Sequence, residues 1–99
     1  MSVLHGSNLI AGQESSLGTA KFRSTAPASG EALEPAYAEA TPQEIERAVA
    51  LADSCVEYLT SVPAAQIAGL LDRIAAEIEA LGDELINLAT KETGLPVAR

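Results

Sequence analysis

The most reactive side chains of the sequence are the thiol of Cys55 and the imidazole of His5, each the one residue of its type. A nucleophilic cysteine needs a neighbouring base or a helix amino terminus that lowers the pKa of its thiol. The residue pattern places Cys55 in the middle of a predicted helix, on its apolar stripe, and His5 far from it near the amino terminus. We therefore predict that Cys55 is a packed structural cysteine and that His5 is an inert surface residue.

Other candidate sites have equally plain interpretations. One cysteine and one histidine cannot provide the ligand spacing of a zinc site. The carboxylates of Glu77, Glu79 and Glu84 form an acidic face on a predicted helix, and such a face is typical of solvation. An acid/base pair would also need a pocket and shifted pKa values. The stretch KETG at residues 91–94 lacks the order of a phosphate-binding loop, and Gly-x-Gly-x-x-Gly does not occur.

The stretch APASGEAL, residues 26–33, is the remaining candidate for a phosphate-binding loop. It has one glycine, no basic residue and no helix immediately after it. Pro27 sets φ for the first central position of a turn, and Gly30 is a favoured closing residue. We predict a turn between extended segments, and we assign no catalytic, cofactor-binding or metal-ligating residue to this sequence.

The charge composition limits which classes of molecule are expected to bind this chain. The formal net charge is −8, from 14 acidic and 6 basic residues, and the basic residues are scattered singly. Nucleic acids and anionic membranes require clustered Lys and Arg, so neither is an expected partner. The longest uncharged run, residues 58–71, is too short to cross a bilayer, and no signal peptide is evident. With a single cysteine, these features lead us to expect a cytoplasmic protein.

The chain changes character near residue 41, which predicts an α+β structure. The pattern of residues 1–40 predicts short strands and turns. We predict one strand from Val3–Leu4 and residues 8–10, a turn at Ala11–Gly12, and a second strand within residues 20–25. Residues 31–40 read as extended, with Pro35 confining them to a sheet edge or loop. Residues 41–99 read as two to three amphipathic helices.

The helices carry clear start and stop signals. Thr41, Pro42 and Glu44 together predict a capping box at the first helix. We predict helices over about residues 42–60, 62–81 and 83–93, with Asp83 able to cap the third and Gly94 ending it in the left-handed conformation. The second helix has a continuous apolar stripe, formed by Ile67, Leu70, Leu71, Ile74, Ala75, Ile78 and Leu81.

Five segments in order resemble the amino-terminal portion of aldehyde dehydrogenases. They are residues 8–13 (NLIAGQ), 26–31 (APASGE), 40–49 (ATPQEIERAV), 70–75 (LLDRIA) and 91–96 (KETGLP). The second resembles the family's Asn-Pro-Ala-Thr-Gly-Glu turn, although Ala26 stands for Asn and Ser29 for Thr. The stretches GEALEPAYAEAT and EALGDELINLATKETGLP are similar to the 2,5-dioxovalerate (α-ketoglutarate semialdehyde) dehydrogenases.

The resemblance implies a parent protein of α/β fold that oxidises the semialdehyde to 2-oxoglutarate with NAD or NADP, through a cysteine thiohemiacetal. The family's catalytic cysteine, general-base glutamate, oxyanion asparagine and nucleotide-binding strands lie beyond the portion that this sequence matches, and Cys55 does not correspond to that cysteine. In some members the backbone just before the turn that matches residues 26–31 contributes to a monovalent cation site, which would fall near Ser24 and Thr25. The implied partners are the remainder of the dehydrogenase chain and further copies in a homo-oligomer.

The helical stripes imply a scaffold that needs a neighbouring layer, because much of the apolar content is alanine, which buries little area. We predict that residues 1–99 alone are weakly folded or self-associating, bind no cofactor and have no dehydrogenase activity. The alternative, from another class, is a free-standing acidic helical module that binds a partner through an exposed stripe.

Overall fold

The computed structural model describes residues 4–98, and these form the predicted α+β arrangement. The strands are β1 (Asn8–Ile10), β2 (Gln13–Ser15), β3 (Lys21–Phe22) and β4 (Tyr37–Ala38). The helices are α1 (Pro42–Ser54), α2 (Val56–Ser61), α3 (Ala64–Ala80) and α4 (Asp83–Thr93). The strand content expected at Val3 lies outside the described residues, and Leu4 is not in a strand.

The first hairpin pairs β1 with β2 in an antiparallel register that places Ile10 opposite Gln13. Its two connecting residues, Ala11 and Gly12, both have positive φ, 52° and 76°. A two-residue hairpin loop with positive φ at both positions matches the right-handed twist of the flanking strands. The turn predicted at these two residues is therefore present.

The second pair joins β3 to β4, also antiparallel, and the rings of Phe22 and Tyr37 stack with centroids 5.6 Å apart. The strand expected within residues 20–25 is shorter than predicted, followed by an isolated bridge between Thr25 and Ala32. The strand is short because its pairing partner changes. Residues 21–22 pair with β4, whereas the Ser24 carbonyl accepts from the Leu33 amide at 2.8 Å, next to the turn at residues 26–31.

Gly6 joins the two strand pairs. Its carbonyl accepts a hydrogen bond from the Ala38 amide at 2.7 Å. A Cβ atom at position 6 would lie 1.7 Å from the Ala36 carbonyl oxygen, a distance at which the backbone must move. Only glycine fits this close approach without a shift of the second strand pair.

The capping box predicted for the first helix is present. The Thr41 hydroxyl accepts from the Glu44 amide at 3.2 Å, and the Glu44 carboxylate accepts from the Thr41 amide at 3.0 Å. The helix then ends at Ser54, and a separate α2 begins at Val56, where one helix to about residue 60 was expected. At the break the Ser54 hydroxyl donates to the Leu51 carbonyl, and such local bonds compete with the helical ladder.

The connection between α3 and α4 also differs from expectation in one detail. The residue that precedes α4 is Gly82, with φ of 61°, and Asp83 is the first helical residue and makes no capping hydrogen bond. A carboxylate at that position still faces the positive end of the helix dipole. At the other end Gly94 adopts the left-handed conformation, φ of 73°, as predicted.

The helices bury very little. The buried residues among those described are Ile10, Ala26, Ala38 and Glu44, and α3 and α4 contain none. On α3 the large side chains of the stripe are exposed, with Leu71 at 61%. The radius of gyration is 17.0 Å, against about 13 Å for a compact domain of this length. The accessible surface is 7659 Å², against about 5,300 Å² for a folded monomer of this mass.

None of the helices within residues 4–98 has the length and apolar character needed to cross a bilayer.

The contact at Gly6 gives a test of the packing between the strand pairs. We expect Gly6→Ala to destabilise the fold by about 1–3 kcal/mol, because the new methyl group meets backbone and not a flexible side chain. The matched control is Gly69→Ala on α3, where the surrounding space is open and alanine should stabilise the helix by about 0.5–1 kcal/mol. Urea denaturation followed by circular dichroism measures both. A Gly6→Ala protein as stable as the wild type would contradict the contact.

Candidate functional site

The structure corrects the interpretation of Cys55. Its side chain is exposed, and it lies at the junction between α1 and α2, not packed in the middle of one helix. The prediction of a packed cysteine is wrong because nothing within residues 4–98 covers this stripe: Ile45 and Val49, which precede the break, are exposed as well. The hollow beside Cys55 is lined by apolar residues of β1 and α1, and His5 is not among them.

His5 makes local contacts on the first hairpin. Its Nε2 atom lies 3.2 Å from a carboxylate oxygen of Glu14, and its Nδ1 atom accepts from the Ser7 amide at 3.3 Å. Both partners are on the same hairpin or the segment leading into it. The structure therefore does not bring the imidazole to Cys55, and no nucleophile–base pair forms between the two residues.

Two open hollows flank the contact between β1 and α1. The larger, about 400 Å³, includes Leu9, Leu51 and Cys55 in its lining. The smaller, about 210 Å³, includes Asn8, Glu44 and Ile45. Both have Leu9, Ile10 and Ala48 in common. Binding sites for small molecules combine an apolar lining with several convergent polar groups, and the larger hollow lacks such groups. It suits the burial of apolar side chains.

Glu44 is the buried charged residue of the described chain, with 2% of its surface exposed. A hydrogen bond from the Ser15 hydroxyl lowers the pKa of the Glu44 carboxyl most, followed by the bond from the Thr41 amide, and burial opposes them. Contacts from the Thr41 hydroxyl and the Leu17 backbone lower this pKa further. A carboxylate with a lowered pKa is a weak base, so Glu44 is poorly suited to proton transfer. Its hydrogen bonds instead connect residues 15–17 to the start of α1.

Two of the motif segments meet in space although they lie far apart in the chain. The Ser24 hydroxyl donates to a carboxylate oxygen of Glu92 at 3.1 Å, across 68 residues. A Cβ atom at position 94 would lie 3.2 Å from the Pro27 ring, so Gly94 also sits against the turn at residues 26–31. The end of α4 is thus held against this turn.

The same contact bears on the cation that the resemblance implies near Ser24 and Thr25. Oxygen atoms are the ligands that hard cations take, and the Ser24 hydroxyl and the Glu92 carboxylate supply two of them. Two side-chain oxygens that already bond to each other are too few to define a site. Within residues 4–98 no group of three or more His, Cys, Asp and Glu side chains could hold a metal ion.

The stretch KETG and the acidic face both have structural roles. Gly94 closes α4, so the carbonyl end of the helix points at this stretch. That end carries the negative part of the helix dipole and repels a phosphate. On α3, Glu77 accepts from Arg73 at 2.7 Å one turn earlier, an exposed pair typical of a solvated helix face.

Comparison with known proteins identifies the family. The sequence profile of the aldehyde dehydrogenase family matches residues 13–99. The chain belongs to the aldehyde dehydrogenase family. It is 40% identical over 98 residues to alpha-ketoglutaric semialdehyde dehydrogenase 2 of Azospirillum brasilense, a match that covers 98% of this chain and 18% of that relative. No solved structure matches the chain at a significant level.

These matches confirm the resemblance to the amino-terminal portion of aldehyde dehydrogenases that was inferred from the five segments. The chain spans less than a fifth of the length of the aldehyde dehydrogenase that it matches. Family membership is therefore established for this segment, and the activity of the whole protein is a matter for proposal.

The capping box gives a direct test of how α1 is fixed. We expect Thr41→Ala to lower the free energy of unfolding by about 0.5–2 kcal/mol, because the Glu44 amide then loses its partner. Thr41→Ser retains a hydroxyl and should retain most of the stability. Urea denaturation followed by the helical circular dichroism signal measures both variants. If serine proves as damaging as alanine, the hydroxyl is not the stabilising group.

Proposed function

We propose that this chain is the amino-terminal structural portion of an NAD(P)-dependent aldehyde dehydrogenase that oxidises a semialdehyde, with 2,5-dioxovalerate as substrate and 2-oxoglutarate as product. The observation that carries the proposal is the 40% identity to an alpha-ketoglutaric semialdehyde dehydrogenase across 98% of the chain. The family match over residues 13–99 supports the same class of reaction.

The reaction proposed for the complete protein oxidises the aldehyde through a thiohemiacetal on a cysteine, with NAD or NADP as the hydride acceptor. The residues described here do not fit that cofactor. The sequence contains no Gly-x-Gly-x-x-Gly, and the acidic chain lacks the clustered basic residues that would favour a phosphate-bearing ligand. Cys55 is exposed between two helices, and His5 does not line the hollow beside it. The proposed chemistry is therefore assigned to residues outside this sequence.

The proposed role of residues 41–98 is to cover one face of the nucleotide-binding domain. An amphipathic helix gains most of its stability by packing its apolar face against another layer. On α3 that face is exposed along its length, at Leu70, Leu71, Ile74 and Ile78. The remainder of the dehydrogenase chain is the partner we propose for it, in a cytoplasmic homo-oligomer.

The activity test uses the complete product of the reading frame that contains this sequence. We expect it to oxidise 2,5-dioxovalerate with a higher kcat/KM than simple aliphatic aldehydes, measured by the absorbance of the reduced nicotinamide with NAD and with NADP. We expect Cys55→Ser to leave kcat unchanged, because this thiol is not the nucleophile.

Residues 1–99 alone should be inactive, melt broadly and bind a hydrophobic dye. A reading frame that stops after Arg99, with a sharp and concentration-independent melt of the monomer, would contradict the proposal and favour the free-standing helical module. Loss of activity in the Cys55→Ser protein would contradict the assignment of the nucleophile to a later residue.

The scaffold role predicts that one substitution acts differently in two contexts. In the complete protein, Leu71→Ala should cost about 2–5 kcal/mol, because a buried leucine is lost. In the 99-residue chain, where Leu71 is 61% exposed, the same change should stay within about 0.5 kcal/mol. Asp72→Ala, on the opposite side of α3, is the control and should be mild in both. A small effect of Leu71→Ala in both proteins would show that the α3 face remains uncovered.

A further inference from the structure

Glu44 connects two segments of the chain through one carboxylate, the start of α1 and residues 15–17. Its Oε1 atom accepts from the Thr41 amide at 3.0 Å and from the Thr41 hydroxyl at 3.2 Å. Its Oε2 atom accepts from the Ser15 hydroxyl, and the Leu17 backbone also donates to the carboxylate. Thr41 belongs to the start of α1, whereas Ser15 ends β2 and Leu17 follows it. A single buried side chain therefore holds the outgoing strand of the first hairpin against α1.

The apolar contact between this hairpin and α1 is small. Ile10 is buried, but its neighbour Leu9 is 71% exposed. Open hollows of about 400 and 210 Å³ lie around the contact, so few apolar atoms bridge the two elements. The incoming strand has a second attachment, because the Gly6 carbonyl accepts from the Ala38 amide. The outgoing strand depends on Glu44.

The contacts to Glu44 favour the ionised form of its carboxyl. The Thr41 amide can only donate, and the Ser15 hydroxyl would have to turn from donating to accepting if the carboxyl were protonated. Among the charged residues of the elements around it, Glu14 on β2 pairs with His5, and Glu46 and Arg47 on α1 are exposed. The negative charge of the Glu44 carboxylate is therefore stabilised by hydrogen bonds from uncharged hydroxyl and amide donors.

We propose that the ionised Glu44 carboxylate is the latch that fixes the outgoing side of the first hairpin, residues 13–17, against the start of α1, and that this side detaches from α1 when the charge is lost. The inference goes beyond the proposed enzymatic function, because it concerns which part of the scaffold opens and what holds it closed. Local opening of this kind is governed by the few contacts that a segment makes with the rest of the protein.

Amide hydrogen exchange with mass spectrometry on the complete protein tests the proposal. In Glu44→Ala we expect peptides covering residues 8–17 to exchange about tenfold faster or more, since charged hydrogen bonds are lost, while α3 and α4 keep their wild-type rates. Glu46→Ala removes the same charge from the exposed side of α1 and should leave the hairpin unchanged. Equal exchange of the hairpin in Glu44→Ala and Glu46→Ala would overturn the proposal.

A second pair of variants leaves the cap of α1 intact. Ser15→Ala removes only the hairpin's side-chain bond and should speed hairpin exchange less than Glu44→Ala does, because the Leu17 bond remains. Ser16→Ala, at the neighbouring exposed serine, is its control. If Glu44→Ala unfolds the whole protein, the two serine variants provide the test. Faster hairpin exchange in Ser15→Ala but not in Ser16→Ala supports the latch. Equal hairpin exchange in these two variants overturns the proposal.

Acid titration supplies the independent readout. The folded pKa of Glu44 is lowered, so its stabilising contribution is present above the ordinary glutamate value and is lost as the pH falls through the folded pKa. Hairpin protection, corrected for the intrinsic rate at each pH, should fall in that window in the wild type and not in Glu44→Ala. The same pH dependence in both proteins would overturn the proposal. Dehydrogenase activity of the wild type, measured separately, reports on the enzymatic function alone.

Discussion

The helical part of this chain depends on the burial of apolar surface that its own residues do not provide. Folding a helix such as α3 costs conformational entropy at every residue. An apolar stripe that stays exposed to water contributes little hydrophobic free energy to offset this cost. The extended radius of gyration and the surplus accessible surface have the same origin. For an aldehyde dehydrogenase segment this is an expected property, because the surrounding layers of an α/β fold complete such faces.

The strand part is held by a different kind of interaction. Few large apolar side chains are buried there. The strand part is held by backbone hydrogen bonds, by the close packing of Gly6 against the Ala36 backbone and by the hydrogen bonds to the Glu44 carboxylate. Such contacts have strict geometry, so they fix the position of the hairpins without a large core. The two parts of the chain are therefore stabilised differently. Residues before 41 depend on short-range hydrogen bonds, and the helices after residue 41 depend on burial of their apolar faces against another surface.

Local signals in the sequence were sufficient for most of the elements and for the family. Thr41 and Glu44 form the capping box because both partners lie within one helical turn, and Gly94 ends α4 because its conformation is a local property. The sequence could not show that Ser15 bonds to Glu44 or Ser24 to Glu92, because these pairs depend on how distant segments pack. Cys55 was placed wrongly for a related reason. The burial of its apolar stripe depends on a covering layer that periodicity alone does not reveal, and residues 4–98 do not supply one.

The contact between the turn at residues 26–31 and the end of α4 restricts how the intervening chain can vary in length. One additional residue within α3 or α4 would rotate everything after it by about 100° and advance it by about 1.5 Å. Glu92 would then point away from Ser24, and Gly94 would no longer face Pro27. Insertions that keep this contact must be absorbed at the breaks near Cys55, Pro63 or Gly82. The lengths of α3 and α4 are therefore constrained by this contact, whereas the breaks between helices can absorb a change in length.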